Sequence, residues 1–220
     1  MPPKIHERPK PSSEDIAYGQ ILRLIYQQQF KPGDFLQEET LSKSLGMSRT
    51  PINRALSRMA VEGILERKKK KGCFIPMVDP ESGRQLFALR QLIEGQVARE
   101  AAQTCPPDVL DTLRGVNLQD RQAIDENNDD IYYSANRAFH FILAESIQNK
   151  YLERISKQLF HQSSIYIFFF DTFYRTPLEG KILTPDQHEE ILVHIGNKDA
   201  DRAKAAMEDH IAHTMKMFLH

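Results

Sequence analysis

The stretch LSKSLGMSRTPINRAL, residues 41–56, decides the fold of the first part of the chain. Gly46 separates two segments of helical periodicity, and a short helix, a tight glycine-containing turn and a second helix make a helix-turn-helix. Ser48 is a favourable N-cap for the second helix. Arg49 and Thr50 then lie in its first turn, where side chains reach base edges in the major groove. An Arg guanidinium matches two acceptors on guanine, and Thr offers a hydroxyl or a methyl group.

The flanking sequence adds a helix before this unit and a hairpin after it. Apolar residues at helical spacing predict a first helix that ends before the turn at residues 31–34. Two short β-prone runs, residues 64–67 and 73–76, surround a cationic turn and predict a hairpin. The order helix, helix, helix, hairpin predicts a winged helix-turn-helix domain over residues 14–77. Residues 1–13 contain four prolines and no apolar periodicity, so we expect a flexible arm.

Charge is distributed unevenly between the two parts of the chain. Residues 1–78 carry 14 Lys and Arg against 8 Asp and Glu, whereas residues 79–220 carry 15 against 22. A basic first part attracts a polyanion, and an acidic second part does not. The consecutive cations from Arg67 to Lys71 suit phosphate contacts, which add affinity with little sequence information. Such a run alone is more often a solvated turn, but its place after a helix-turn-helix favours DNA.

The remainder of the chain is predicted to be all-α. Asp79, Pro80 and Glu81 combine a capping residue, Pro at the first helical position and an acidic residue in the first turn. Helices are predicted at residues 80–104, 107–125, 128–148, 150–175, 184–197 and 199–219. The fold class is therefore mainly α: a winged helix-turn-helix followed by a helical bundle over residues 78–220.

Residues 18–76 resemble the winged helix of the GntR family of bacterial transcription regulators. The motifs are FKPGDFL at 30–36, LSKSLGMSRTPINRAL at 41–56, EGIL at 62–65 and GCFI at 72–75. The resemblance implies that Arg49 and Thr50 contact DNA and adds Gly72 as a contact at the wing tip. Members typically have Arg-Glu where this chain has Asn53 and Arg54, and an Asn that reached a base would favour adenine over guanine. The candidate DNA contacts are Ser48, Arg49, Thr50, Asn53, Arg54, Arg58, Lys69, Lys70, Lys71 and Gly72.

Three histidines and one asparagine in the helical part are candidate metal ligands. Asn136 and His140 are four residues apart and share a helix face. If the helices carrying His188 and His210 fold back on each other, the two residues lie at similar levels. Three imidazoles and one oxygen suit a divalent ion such as Zn or Ni. Spacing alone leaves alternatives open, because the chain has eight histidines and His213 shares a face with His210.

The chain from about Pro80 onward resembles the FCD effector domain, the all-helical partner of one GntR branch. The matching motifs are LRQLIE at 89–94, NRAFH at 136–140 and QH at 187–188, followed by IGNKD at 195–199. The resemblance implies a divalent metal held by one Asp and three His, at positions 136, 140, 188 and 210. Here Asn136 replaces the Asp, and a neutral amide binds a hard cation more weakly.

The same resemblance implies a small carboxylate effector that contacts both the metal and an arginine. Arg90 is the candidate for that arginine, and a surface cation paired with Glu94 is the alternative. The domain is also expected to form a homodimer that reads a pseudo-palindromic operator. The effector would act by favouring one dimer arrangement, and the resemblance implies a repressor, with an activator as the alternative.

Two other functions agree less well with these motifs. A metal-dependent hydrolase is disfavoured because the His188-Glu189 pair lacks the second His of a zincin motif at position 192, which is Leu. An acyl-CoA-responsive regulator resembling the FadR branch is disfavoured because members of that branch lack the full histidine set. No apolar run approaches the roughly 18 residues of a membrane span, and the first residues lack a secretory signal. We therefore expect a cytoplasmic regulator, not an enzyme.

Overall fold

The computed structural model describes residues 11–170 and 184–218. The chain divides into two compact units, Met1–Met77 and Val78–His220. Most of the predicted arm, residues 1–10, lies outside the described residues, as does the predicted end of the fourth helix of the bundle beyond Phe170. No helix in the described ranges is both long and apolar enough to cross a bilayer.

The first unit is a three-helix cluster with a small antiparallel sheet. Its elements are α1 (Ser13–Tyr26), β1 (Phe35–Leu36), α2 (Glu38–Leu45), α3 (Arg49–Glu62), β2 (Glu66–Lys68) and β3 (Gly72–Phe74). Ser12 caps α1 because its hydroxyl accepts a hydrogen bond from the backbone N–H of Asp15. The Asp15 carboxylate in turn accepts a hydrogen bond from the backbone N–H of Ser12. The sheet has the order β1-β3-β2, with Leu36 opposite Cys73 and Lys68 opposite Gly72. The sequence predicted the hairpin but not β1, which extends it to three strands.

The core of the first unit lies between α1, α3 and the sheet. The fully buried side chains include Ile21 and Ile25 from α1, Ile52 and Met59 from α3, and Leu36 from β1. Ile16, which helical spacing had included in the apolar set, is instead 43% exposed. This packing directs the opposite face of α3 toward solvent, where the candidate DNA contacts begin.

The second unit consists of six described helices. They are α4 (Pro80–Thr104), α5 (Pro107–Asp125), α6 (Asp129–Glu145), α7 (Lys150–Phe170), α8 (Thr184–Gly196) and α9 (Ala200–Phe218). Asp79 caps α4 by accepting the Ser82 amide, and Pro80 occupies the first turn. α6 ends at Glu145, three residues before its predicted end.

Small residues allow α4 and α9 to lie close together in the middle of the second unit. Ala98, Ala101 and Ala102 of α4 pack in one core with Met207 and Ile211 of α9. A Cβ at Gly95 of α4 would lie only 2.7 Å from Cγ of Glu208. This close approach brings the polar residues of the adjoining turns of α4 and α9 into the same buried region.

Candidate nucleic-acid interface and metal centre

The turn of the helix-turn-helix leaves the start of α3 open. Gly46 ends α2 in the left-handed region, at φ 63°, where glycine carries no Cβ penalty. Ser48 occupies the predicted N-cap position, but its side chain makes no capping hydrogen bond. The first backbone N–H groups of α3 therefore have no side-chain cap at Ser48, which favours an anion at this end of the helix.

The leading edge of α3 contains both free and engaged side chains. Arg49, Thr50 and Arg54 are exposed. Arg49 has only a weak partner, with its Nη2 4.0 Å from Oε2 of Glu38, and its side chain is 69% exposed. Asn53 is half-buried and donates from Nδ2 to Oε1 of Glu38 at 2.6 Å. Glu38, at the start of α2, thus contacts two of the predicted DNA-contacting residues, and sequence reasoning did not identify it.

Arg58 is engaged within the first unit. Its guanidinium bonds Glu62 at 2.9 Å and Asp15 at 3.1 Å, and it lies 4.5 Å from the centre of the Tyr18 ring. These contacts join α3 to α1, and they hold the positive charge of Arg58 away from the start of α3. Of the predicted contacts on α3, Arg58 is the one whose charge is already paired.

The wing presents a cluster of cations at the tip of the β2–β3 hairpin. Lys69, Lys70 and Lys71 are exposed, and none forms an ion pair with any described residue. Gly72, at φ 95°, opens β3, and a Cβ there would lie 2.5 Å from Cε2 of Phe35. The hairpin tip therefore needs glycine at this position both for its backbone angle and for packing against Phe35.

His140, His188 and His210 meet inside the second unit. They come from α6, α8 and α9, are at most 3% exposed, and have ligand nitrogens that all lie within 4.8 Å of one another. His210 and not His213 joins this cluster among the described residues. Burial lowers the pKa of His188 and of His210 well below the usual value, and their cationic and imidazole neighbours lower it further. The imidazoles are thus neutral near pH 7, as metal ligation requires.

Arg90 and Glu94 form a buried ion pair beside His140. Both are 2% exposed, so the interpretation of Arg90 as a surface cation is wrong, although its pairing with Glu94 is present. Arg90 donates to Glu94 and to Oγ of Ser163 at 3.0 Å, and its Nη2 lies 3.5 Å from Nε2 of His140. Although burial alone would raise it, Arg90 and His140 lower the pKa of Glu94 to about 2. Arg90 therefore places a fixed positive charge next to the histidines.

Several buried polar atoms near the histidines have no hydrogen-bond partner among the described residues. They are Oδ1 of Asn117, both carboxyl oxygens of Asp120, Oδ1 of Asn136 and both ring nitrogens of His188. Burial raises the pKa of Asp120 to about 8. Because buried polar atoms are nearly always paired in proteins, this group indicates that a ligand, ion or water completes the region.

Asp120 and Asn117 were missed by sequence reasoning, although the sequence contains a signal for them. Both lie on α5 in the same row as the buried Leu113 and Ile124, at helical spacing. A carboxylate and an amide in an otherwise apolar, inward-facing row are costly unless a partner meets them. That pattern points to a polar site, whereas histidine spacing points only to α6, α8 and α9.

The three imidazoles fit a divalent metal. Nitrogen ligands lie about 2.0–2.1 Å from zinc, so two of them in a tetrahedral site are roughly 3–4 Å apart. The ligand nitrogens lie within 4.8 Å of one another, so small side-chain movements would bring them to that spacing. Imidazole also suits Zn, Ni and Cu better than it suits Mg or Ca. Asn136 lies one turn before His140 on α6 and brings an unpartnered amide oxygen to the same helix.

Sequence comparison matches both units of the chain to known domains. Residues 14–75 match the family described as bacterial regulatory proteins, gntR family, and residues 85–213 match the FCD domain. The Uxu operon regulator of Haemophilus influenzae is 31% identical over 222 residues, covering 91% of this chain and 80% of the relative. The Uxu operon transcriptional regulator of Escherichia coli is 24% identical, covering 91% of this chain and 85% of the relative.

Structural comparison gives the same fold. The E. coli protein McbR/YncC superposes with a TM-score of 0.76 at 18% identity, covering 94% of this chain and 96% of the other. At this identity the likeness concerns the fold alone. The match extends over both the winged unit and the helical unit.

Proposed function

This chain belongs to the GntR family of bacterial regulatory proteins and carries an FCD domain, and we propose that it is a repressor controlled by a small carboxylate bound at a divalent metal. Its relatives are DNA-binding transcription regulators and not enzymes. We assign operator binding to residues 14–77, and effector binding and homodimerisation to residues 78–220. Both Uxu relatives are named for one operon, so we propose a defined operon as the target of this chain as well.

The observation that carries the proposal is the buried cluster of His140, His188 and His210 with Arg90 beside it. Burying three neutral imidazoles and an arginine together in a protein core carries a considerable desolvation cost. The arrangement therefore favours a binding role over a purely structural one. Asn136 is proposed as the oxygen ligand. When bound, a divalent cation would supply a Lewis-acid site for one carboxylate oxygen of the effector.

Arg90 is proposed to complete the carboxylate site. Its Nε and Nη1 are engaged by Glu94 and Ser163, whereas Nη2 faces His140 at 3.5 Å. An anion bound among the histidines would meet this charge in a region of low dielectric, where a hydrogen bond from guanidinium is strong. The buried position of Arg90 thus favours recognition of a carboxylate over a neutral ligand.

On the DNA side, we propose that Arg49 and Thr50 read bases while Lys69, Lys70 and Lys71 contact phosphates. The free N–H groups at Ser48 would bind a further phosphate. Arg58 would act indirectly, by joining α3 to α1, since its charge is already paired. A dimer would place two copies of this surface on the two halves of a pseudo-palindrome.

The test combines metal analysis with operator binding. Operator DNA is selected by the protein from a random library, and the metal content of the untreated protein is measured by mass spectrometry. Binding is then followed by fluorescence anisotropy after chelation, after re-addition of Zn²⁺ or Ni²⁺, and with acetate, lactate, malate or citrate. We expect about one metal per chain and a carboxylate that changes operator affinity only in the metal-loaded protein.

Arg49→Ala is expected to lower specific binding by about 1–3 kcal/mol and leave binding to random DNA almost unchanged. Arg84→Ala, which removes an exposed Arg of α4, is the matched control. The proposal fails if the protein takes up no divalent metal. It also fails if a carboxylate that binds the helical unit leaves operator affinity unchanged.

A further inference from the structure

Each histidine of the cluster has an oxygen beside its Nδ1 atom. Oε2 of Glu94 contacts Nδ1 of His140, and Oε1 of Gln187 lies 3.1 Å from Nδ1 of His210. Oδ2 of Asp120 lies 3.7 Å from Nδ1 of His188. An acceptor at Nδ1 selects the tautomer that carries its proton there and leaves the lone pair of Nε2 for a metal. The surroundings of His140 and His210 therefore favour ligation through Nε2, and those of His188 would do so if its Nδ1 met Asp120.

Asp120 differs from the other two acceptors because nothing else in the described structure engages it. It is 1% exposed, and neither carboxyl oxygen has a hydrogen-bond partner among the described residues. The adjacent cation, Arg121, bonds Asp186 at the surface instead. A buried carboxyl without a hydrogen bond destabilises a fold, so its presence at this position favours a binding role.

His188 is held so that a small movement would close the gap to Asp120. Its ring is fully buried and stacks on Phe139, with the centroids 3.7 Å apart and the planes 7° from parallel. Neither of its nitrogens has a hydrogen-bond partner in the described part of the chain. The gap of 3.7 Å to Asp120 exceeds an N–H···O hydrogen bond by about 0.7 Å. Stacking fixes the plane of the ring but permits sliding within that plane.

We propose that Asp120 is the positioning residue of the metal centre, accepting the Nδ1 proton of His188 so that Nε2 faces the cation. This inference rests on the proposed metal-dependent function. It explains how the chain tolerates the neutral Asn136 in the ligand set. Asp120 of α5 would supply the missing negative charge through His188 and not by binding the metal itself.

A count of formal charges supports this role. In the metal-bound state, with Asp120 ionised, a divalent cation and Arg90 would carry three positive charges in the buried region, and Glu94 and Asp120 would supply two negative ones. One monocarboxylate then makes the region neutral. Without Asp120, the same ligand would leave a net positive charge buried among apolar helices, which is unfavourable.

The experiment compares metal affinity and stability in four variants of the full chain. Asp120→Asn removes the charge and lets an amide N–H point at Nδ1, which stabilises the wrong tautomer. Asp120→Glu keeps the carboxylate, and Asn136→Asp adds one to the ligand set. Asp111→Asn is the matched control: Asp111 lies on α5 about 13 Å from Asp120 along the helix, is exposed and pairs with Arg114.

Zn²⁺ affinity is measured by competition with a chelating dye, coordination by the Co²⁺ absorption spectrum, and stability by thermal unfolding without metal. Asp120→Asn is expected to weaken Zn²⁺ binding about 10- to 100-fold and to change the Co²⁺ spectrum. Its metal-free melting temperature should equal or exceed that of the wild type, because the Asn amide replaces a buried carboxyl that has no hydrogen-bond partner among the described residues. Asp120→Glu should recover part of the affinity, Asn136→Asp should exceed the wild type, and Asp111→Asn should match it.

Wild-type affinity and an unchanged Co²⁺ spectrum in Asp120→Asn would overturn the inference while leaving the metal proposal intact. A lower metal-free melting temperature in Asp120→Asn would also overturn it, because Asp120 would then be serving the fold. Failure of the wild type to bind Zn²⁺, Ni²⁺ or Co²⁺ would instead remove the metal function on which the inference rests.

Discussion

At the residue scale, the contact between Glu38 and Asn53 limits what the DNA-facing surface can read. Adenine recognition by Asn uses both the amide oxygen and the amide nitrogen of the side chain. In the structure Nδ2 of Asn53 already donates to Glu38 at 2.6 Å. The preference for adenine expected from the sequence therefore competes with a hydrogen bond inside the protein.

A double-mutant cycle on Glu38 and Asn53 measures this competition. We expect Asn53→Ala alone to change base preference by much less than the ~1–3 kcal/mol of a bidentate contact. In the Glu38→Ala background the amide is free, and Asn53→Ala should then cost the full amount. Operator variants with each base at the affected position are compared by anisotropy. Equal effects of Asn53→Ala in the two backgrounds would show that Glu38 does not restrain the side chain.

At the scale of the element, the β2–β3 hairpin contains cations that can raise affinity for DNA phosphates without reading the base sequence. Its tip contains three exposed lysines that have no acidic partner among the described residues, whereas Arg67 and Lys68 are turned back toward the domain. Arg67 donates to Ser57 at 3.2 Å, and Lys68 lies near Glu66 and the Phe74 ring. The five consecutive cations thus form two groups. Arg67 and Lys68 contact the domain, whereas Lys69 to Lys71 have no acidic partner among the described residues and can contact phosphates.

Replacing Lys69, Lys70 and Lys71 by Gln is expected to weaken binding to operator and random DNA by similar factors. The slope of log affinity against log salt should become shallower by about 0.9 for each phosphate that the wing no longer neutralises. Titrations at several salt concentrations measure this slope. The control replaces Lys150, Lys198 and Lys216, three exposed lysines of the helical unit, by Gln. Weaker binding to the operator alone would contradict a phosphate-binding wing.

The elements that sequence predicts well are those whose signals are local. The start of α4 follows from Asp79 and Pro80, and the end of α2 follows from Gly46, because capping depends on neighbouring residues. β1 was missed because two residues pair only through their register with β3, about 37 residues further on. The same limit applies to Asp120, whose partner His188 lies on another helix and is brought near only by packing.

At the scale of the whole molecule, regulation requires that the helical unit and the winged unit influence each other. The proposed effector acts only if it binds the DNA-competent and the DNA-incompetent arrangements with different affinity. Such coupling is a free energy, typically ~1–3 kcal/mol, and it is the same whichever ligand binds first. A repressor released by a carboxylate must therefore bind that carboxylate more weakly when it occupies the operator.

This reciprocity gives a quantitative prediction for the metal-loaded protein. If the most effective carboxylate lowers operator affinity by a given factor, saturating operator should lower carboxylate affinity by the same factor, on the order of 5- to 150-fold. Isothermal titration of the carboxylate with and without operator measures the second factor, and anisotropy measures the first. Random-sequence DNA and the Arg49→Ala variant serve as controls, because the first does not form the specific complex and the second forms it more weakly. Unequal factors would mean that the carboxylate does not act by shifting the equilibrium between the DNA-competent and the DNA-incompetent arrangements.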